Sequence, residues 1–150
     1  MSYPPYGPRE LGRTGVTVPP LGLGCAPLGN LYRAVPEAQA RDVGGVYNSG
    51  LLADPTPGAP YNYAPAPAPV LDRARQLAAV CAEFDVPLKA AALRFPFGRP
   101  AVAAAVVGAA APDEMAENAR LFTHHIPDAL WHTLVARGLL DADLPLPLND

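Results

Sequence analysis

The chain is short of the residues that mark several large classes of protein. Only two of its 150 residues are cysteine, Cys25 and Cys81. They stand too far apart for a metal or redox motif, and each has apolar neighbours, so both read as small core residues in a reducing compartment. One lysine, Lys89, occurs in the whole chain. Net charge is -3 and no basic run is present, which argues against nucleic acid as a partner. No stretch of about 18 apolar residues exists, so no membrane span is expected. The opening, Met1-Ser-Tyr-Pro-Pro-Tyr-Gly-Pro8, carries neither a basic nor an apolar leader segment, and the reading is a cytoplasmic chain.

What is abundant is proline, 20 residues, 13 of them clustered at 4–8, 19–20, 55–69 and 143–147. These clusters fall between periodic segments and act as punctuation. Ala64-Pro-Ala-Pro-Ala-Pro69 is expected to be extended polyproline II, either a stiff connector or, less in keeping with its lack of flanking basic anchors, a ligand for an aromatic groove.

The periodic segments alternate in type. Residues 9–18 read as a hairpin around Gly12 and Gly15, and 21–26 as a short strand. Pro36 to Val43 reads as a helix of barely two turns, stopped by Gly44-Gly45, with Tyr47 to Ala53 as strand and turn. Residues 70–84 are the clearest helix: Val70, Leu71, Ala74, Leu77, Ala78, Cys81 and Phe84 share one face. A further helix begins at Pro87, a strand covers 101–107, and helices cover 112–121 and 127–137. The last has Pro127 at its start and Gly138 at its end. Alternating strands and helices imply an α/β fold with parallel strands. A chain of this length supports one domain, yet a complete (β/α)8 barrel takes roughly 200 residues or more.

Two segments could seat a phosphate. From Val102 to Asn118 a buried strand runs through the small turn Gly108-Ala109-Ala-Ala111 into a helix start, where free N–H groups and the helix dipole favour an anion. From Gly45 to Ala53 a short apolar strand enters a small polar turn. Two such turns on neighbouring parallel strands could hold a dinucleotide.

Arg9 to Asn30 resembles the opening of the aldo/keto reductases, in particular their bacterial branch of L-fucose and aldose dehydrogenases. Gly45 to Ala53, Tyr61 to Pro65, Pro87 to Phe95, Gly108 to Asn118 and Pro127 to Trp131 resemble the closing part of that branch. The resemblance implies a partial TIM barrel with an N-terminal hairpin and parallel strands in the order seven, eight, one. In that order 45–49 lies beside 102–107, and 102–107 beside 20–26. It also implies one incomplete domain over 1–150, with an internal deletion near 43–44 where the catalytic middle would stand.

The family implies an NAD(P)-dependent oxidoreductase acting at C1 of an aldose, a small-molecule sugar. Tyr47 would stack on the nicotinamide, with Asn48, Ser49 and Leu51 near its amide and the pyrophosphate. Gly108 and Ala109 would lie by the adenosine phosphate, and Glu117 and Asn118 by the adenine edge. Glu114 stands where NADP-preferring members carry an arginine, so NAD is expected in preference to NADP. For Tyr47 the residues alone favour a packed strand tyrosine. For Glu117 and Asn118 they allow an exposed helical pair equally well.

The family's chemistry needs a tyrosine acid, a lysine that lowers its pKa and a histidine that orients the carbonyl. Asp42 and Tyr47 keep the family's Asp-to-Tyr spacing, but Val43-Gly-Gly-Val46 between them does not match, and the spacing reads as accidental. Lys89 reads as a solvated side chain on an amphipathic helix. His124 and His125 fall in a linker and His132 inside the last helix. No catalytic residue is assigned, and the expected outcome is a chain without activity. The alternatives are a non-enzymatic remnant with weak dinucleotide binding and a proline-rich interaction protein. Unpaired barrel edges would also favour self-association.

Overall fold

The computed structural model describes residues 7–10, 13–24, 46–62, 64–99, 102, 104–108 and 112–149. The expected helix 36–43, the deletion point near 43–44, Cys25, Asp42 and Ala109 lie outside the described residues. So do the ends of the strand expected over 21–26, beyond Gly24.

The N-terminal hairpin is present. Strands β1 (Arg9–Glu10) and β2 (Thr17–Val18) pair antiparallel, Arg9 opposite Val18. Gly15 takes a φ of 70° at the turn, a conformation open to a residue without a Cβ. The Glu10 carboxylate accepts the Gly15 N–H at 3.1 Å and closes the loop.

Strand β3 (Leu21–Gly24) is next. Strands β4 (Pro60–Tyr61) and β5 (Ala64–Pro65) form a second small antiparallel ribbon. The proline-rich run is therefore not one polyproline rod. Its first part is paired in β5, and its last part, Ala68 and Pro69, already belongs to helix α1 (Ala68–Glu83). The reason is local: proline is tolerated in a first helical turn, where its missing N–H has no intrahelical partner to lose. Pro67, with φ -56° and ψ 145°, makes the bend.

Helix α2 (Leu88–Arg94) runs into a 3-10 turn at Phe95–Gly98. Strand β6 (Ala105–Gly108) and helices α3 (Pro112–Phe122) and α4 (Asp128–Ala136) complete the order. The strand is shorter than the expected 101–107.

Strand β6 pairs parallel with β3, Leu21 opposite Ala105 and Gly24 opposite Gly108. The chain is thus mixed α/β with parallel strands, and the expected neighbours 20–26 and 102–107 do pair. Residues 46–49 do not extend this sheet. Asn48, Ser49 and Gly50 have φ of 50°, 60° and 103°. Three successive residues in the left-handed region wind the chain into a 3-10 turn, Asn48–Gly50, and exclude a strand there. Asn, Ser and Gly are residues that accept such turns. The expected strand order seven, eight, one is corrected to the single pair β3–β6 among the described residues.

The core lies between this pair and the helices. Along β6 the burial alternates, Ala105 and Val107 inward and Val106 and Gly108 outward, as period-two geometry requires. Trp131, Phe122, Leu93, Leu130 and Val107 are its largest sealed side chains. Phe97 meets Phe122 edge-on at 5.3 Å between ring centres. A smaller cluster, Leu51, Ala59, Leu71 and Ala74, seats the β4–β5 ribbon on α1.

Helices α1 and α4 are clamped at their ends. Arg137 makes a two-pronged bond to the Glu83 carboxylate at 2.6 and 2.7 Å. That bond holds Glu83 below the usual carboxylate range and Arg137 above its own. The C-terminal tail folds back. Asn149 donates to the Ile126 carbonyl and the Asp128 carboxylate, both at 2.8 Å.

Candidate functional site

The turn at residues 46–50 meets the inner face of α3. Along α3, Met115, Asn118, Ala119 and Phe122 recur at helical spacing, the first and third half-buried and the others buried. Asn118 is the polar member of this apolar stripe, 3% exposed, so its side chain requires a partner. Tyr47 supplies it, donating its hydroxyl proton to Asn118 Oδ1 at 2.5 Å. The expectation that Glu117 and Asn118 form an exposed pair is corrected for Asn118, which the α3 stripe turns inward.

Lys89, in the first turn of α2, joins the same group. Its ammonium bonds Glu117 Oε2 at 2.7 Å and stands 5.7 Å from the centre of the Tyr47 ring. The Lys89 side chain is 25% exposed, so the reading of a solvated lysine is corrected. The α2 turn places it against a carboxylate and an aromatic face, and the two hold it there. Tyr47, Lys89, Glu117 and Asn118 thus form one network from three separated parts of the chain.

Its electrostatics oppose acid catalysis. Burial pushes the Tyr47 hydroxyl above its ordinary pKa, and the Glu117 carboxylate pushes it further the same way. A catalytic tyrosine acid needs the opposite shift. The Lys89 cation is spent on Glu117 and on the ring face, not on the phenolic oxygen. His124 reaches the Asp85 carbonyl at 3.3 Å, and His125 and His132 are exposed. None of the three shares a hydrogen bond with Tyr47 among the described residues. Nor does any cluster of His, Cys, Asp and Glu among them suit a metal ion.

The other expected cofactor residues are spread. Asn48 and Ser49 occupy the left-handed turn, Ser49 exposed and Asn48 half-buried. Leu51 is 2% exposed, sealed in the small cluster with Ala59 and Leu71, and has no free surface for a pyrophosphate. Gly108 is exposed at the C-terminal end of β6, and Glu114 is exposed in the first turn of α3 beside Asp113.

The two ends of the expected dinucleotide seat therefore differ. At the adenosine end, a strand paired in parallel with β3 leads to a helix start, the order that suits a phosphate. Two carboxylates in that first turn weaken the positive helix end for an anion. At the nicotinamide end the residues do not fit. Tyr47 and Asn118, expected at opposite ends of an extended dinucleotide, are bonded to each other.

The chain is 40% identical over 111 residues to a pyridoxal 4-dehydrogenase of Microbacterium luteolum, covering 71% of this chain and 32% of that protein. It is 39% identical over 97 residues to a D-threo-aldose 1-dehydrogenase of a Pseudomonas species, 63% of this chain and 30% of that protein. The chain is a relative of the aldo/keto reductases. It spans about a third of the length of these curated relatives. No protein-family model matches it, and no solved structure does. No helix among the described residues is long and apolar enough to cross a membrane.

The network around Asn118 was missed by sequence reasoning, although a signal for it exists. An asparagine three residues after Met115 and four before Phe122 sits on the apolar stripe and demands a buried donor.

Proposed function

We propose that this chain is a segment of aldo/keto reductase descent that does not by itself carry out hydride transfer between NAD and C1 of an aldose. What it keeps is a weak seat for the adenosine end of the dinucleotide, at Gly108, Ala109 and Glu114. The dinucleotide, when bound, would supply the hydride acceptor. The chain's own residues bind and orient its phosphate and ribose.

The observation that carries this reading is the state of Tyr47. Its proton is given to Asn118, its acidity is lowered by burial and by Glu117, and Lys89 is paired elsewhere. General acid–base catalysis contributes about a hundredfold to ten-thousandfold, and this arrangement withholds it. The fold that suits the reading is part of a (β/α)8 barrel, in which the β3–β6 pair corresponds to the first and last strands. The whole of 1–150 is then one incomplete domain. Among the described residues no third strand joins that pair, and edges left so offer backbone groups to other chains, so self-association belongs to the same reading.

A second reading, that the chain is active, rests on the Lys89 cation lying against Tyr47. Purified protein with NAD and L-fucose separates the two. The expected result is no NADH above the protein-free rate. Sugar-dependent NADH formation that disappears in Tyr47→Phe would establish the second reading.

Nucleotide preference is tested by calorimetry. A carboxylate at 114 repels a 2′-phosphate and accepts a bond from a 2′-hydroxyl. NAD should bind more tightly than NADP, and Glu114→Arg should reverse the order. Equal binding by the two, unchanged in the variant, would remove Glu114 from the seat.

A further inference from the structure

Helices α1, α2 and α4 and the turn at 46–52 line a half-open cavity of about 380 Å³. Its walls include Asn48, Cys81, Leu88, Ala92, Phe95 and Trp131, and no charged side chain lines it. The volume lies within the range of small-molecule sites, and such sites combine apolar walls with a few fixed polar groups.

One polar side chain in these walls, Asn48, lacks a partner among the described residues. Its backbone is nonetheless fixed, because its carbonyl accepts the Leu51 N–H at 3.3 Å in the left-handed turn. Asn48 is half-buried at the cavity wall, and a ligand that accepts a proton from its amide replaces the water that group would otherwise need. The Cys81 thiol, pushed up to about 11 by burial, is neutral at physiological pH and adds no charge.

From these features we infer a binding site for a small, uncharged aromatic molecule that carries one hydrogen-bond acceptor, such as an aryl ketone. Absence of charge in the walls excludes an ionised ligand, whose desolvation nothing there would offset. The Phe95 and Trp131 rings, 6.1 Å apart between centres, supply aromatic surface. The site is separate from the adenosine seat, since no residue of β6 or α3 lines it, and Asn48 is the one residue it shares with the expected nicotinamide end.

The probe is prodan, an uncharged naphthyl ketone whose emission rises and shifts to the blue in apolar surroundings. Trp131, the one tryptophan of the chain, is the energy donor. Titration of the full chain should give saturable quenching of Trp131 with one prodan per chain. The anionic 1-naphthalenesulfonate should give none, and excess NAD should leave the prodan curve unchanged. Ala92→Phe fills the cavity and should weaken binding at least about tenfold, because a packed interior does not expand to readmit a ligand. Asn48→Asp keeps a residue tolerant of the left-handed turn but replaces a donor with a charged acceptor. It should weaken binding severalfold even if Ala92→Phe fails to fold.

Non-saturable quenching, equal uptake of the sulfonate or indifference to both substitutions would overturn the site. Displacement by NAD would overturn its separateness. Binding that is lost as protein concentration rises would assign the cavity to a second copy of the chain instead.

Discussion

Replacing Tyr47 and Asn118 singly and together tests the network that decides how the chain is read. Tyr47→Phe leaves the Asn118 carbonyl oxygen buried with no donor, in a residue 3% exposed. That costs about 1–3 kcal/mol, the penalty of an unsatisfied buried polar group. Asn118→Leu leaves the half-buried Tyr47 hydroxyl without its acceptor, at about 1–2 kcal/mol, since part of that group can still reach water. Together the two substitutions remove both partners and put apolar atoms of similar shape in their place, which is close to neutral. The double variant should therefore be more stable than either single one. For a domain of this size, each kcal/mol corresponds to roughly 2–4 °C in Tm. Urea and thermal unfolding followed by Trp131 fluorescence supply the four stabilities of the cycle. If the two losses simply add, the 2.5 Å contact contributes nothing as a pair. The account of Tyr47 as a structural donor then fails with it.

Alkaline stability and tail docking offer further checks. Burial pushes the Cys81 thiol up from its ordinary 9.0 to about 11, and Tyr47 is shifted in the same direction. Both folded pKa values are raised, so their contributions are full below the unfolded values and are lost as pH climbs through the folded ones. Unfolding free energy should fall from pH 9 upward, and Cys81→Ala should flatten the part of that fall between 9 and about 11. A Cβ added at Gly98 would overlap the Pro145 carbonyl. Gly98→Ala should therefore release the C-terminal tail at about 1–3 kcal/mol, seen as faster proteolysis after residue 140, and unchanged cleavage would show that the tail gives way freely.

Much of the fold was legible where one level of pattern decided it. The stripe from Val70 to Phe84 specified α1, the Gly15 turn specified the hairpin, and the apolar run 101–107 specified a strand that needed a parallel neighbour, of which the structure keeps 105–108. The failures occurred where two signals competed in the same residues. Val46 and Tyr47 carry strand propensity, but Asn48-Ser49-Gly50 carry turn propensity, and the turn prevailed because its three residues accept positive φ. In the 64–69 run, alternating proline suggested a rod. The β4 ribbon on one side and the helix start on the other divided it. The site was least legible, because its contacts join residues about 30 to 70 apart: Tyr47 to Asn118, Lys89 to Glu117. Periodicity on α3 shows that Asn118 faces inward, but nothing local says what it meets.

The β3–β6 pair also governs the order in which the molecule assembles. Joining Leu21 to Ala105 closes a loop of about eighty residues, an entropic cost of about 4 kcal/mol before any strand contact is gained. The contacts among α1, α2, α3 and α4 join nearer parts of the chain and can form beforehand. With two short strands and no third strand beside them among the described residues, the pair is expected to close last and open first. The end of β6 that leads to α3 is thus held by the latest event in folding. Amide exchange at Leu21 to Gly24 should be fast relative to that in α1, and any ligand seated at Gly108 would slow it by holding the loop shut.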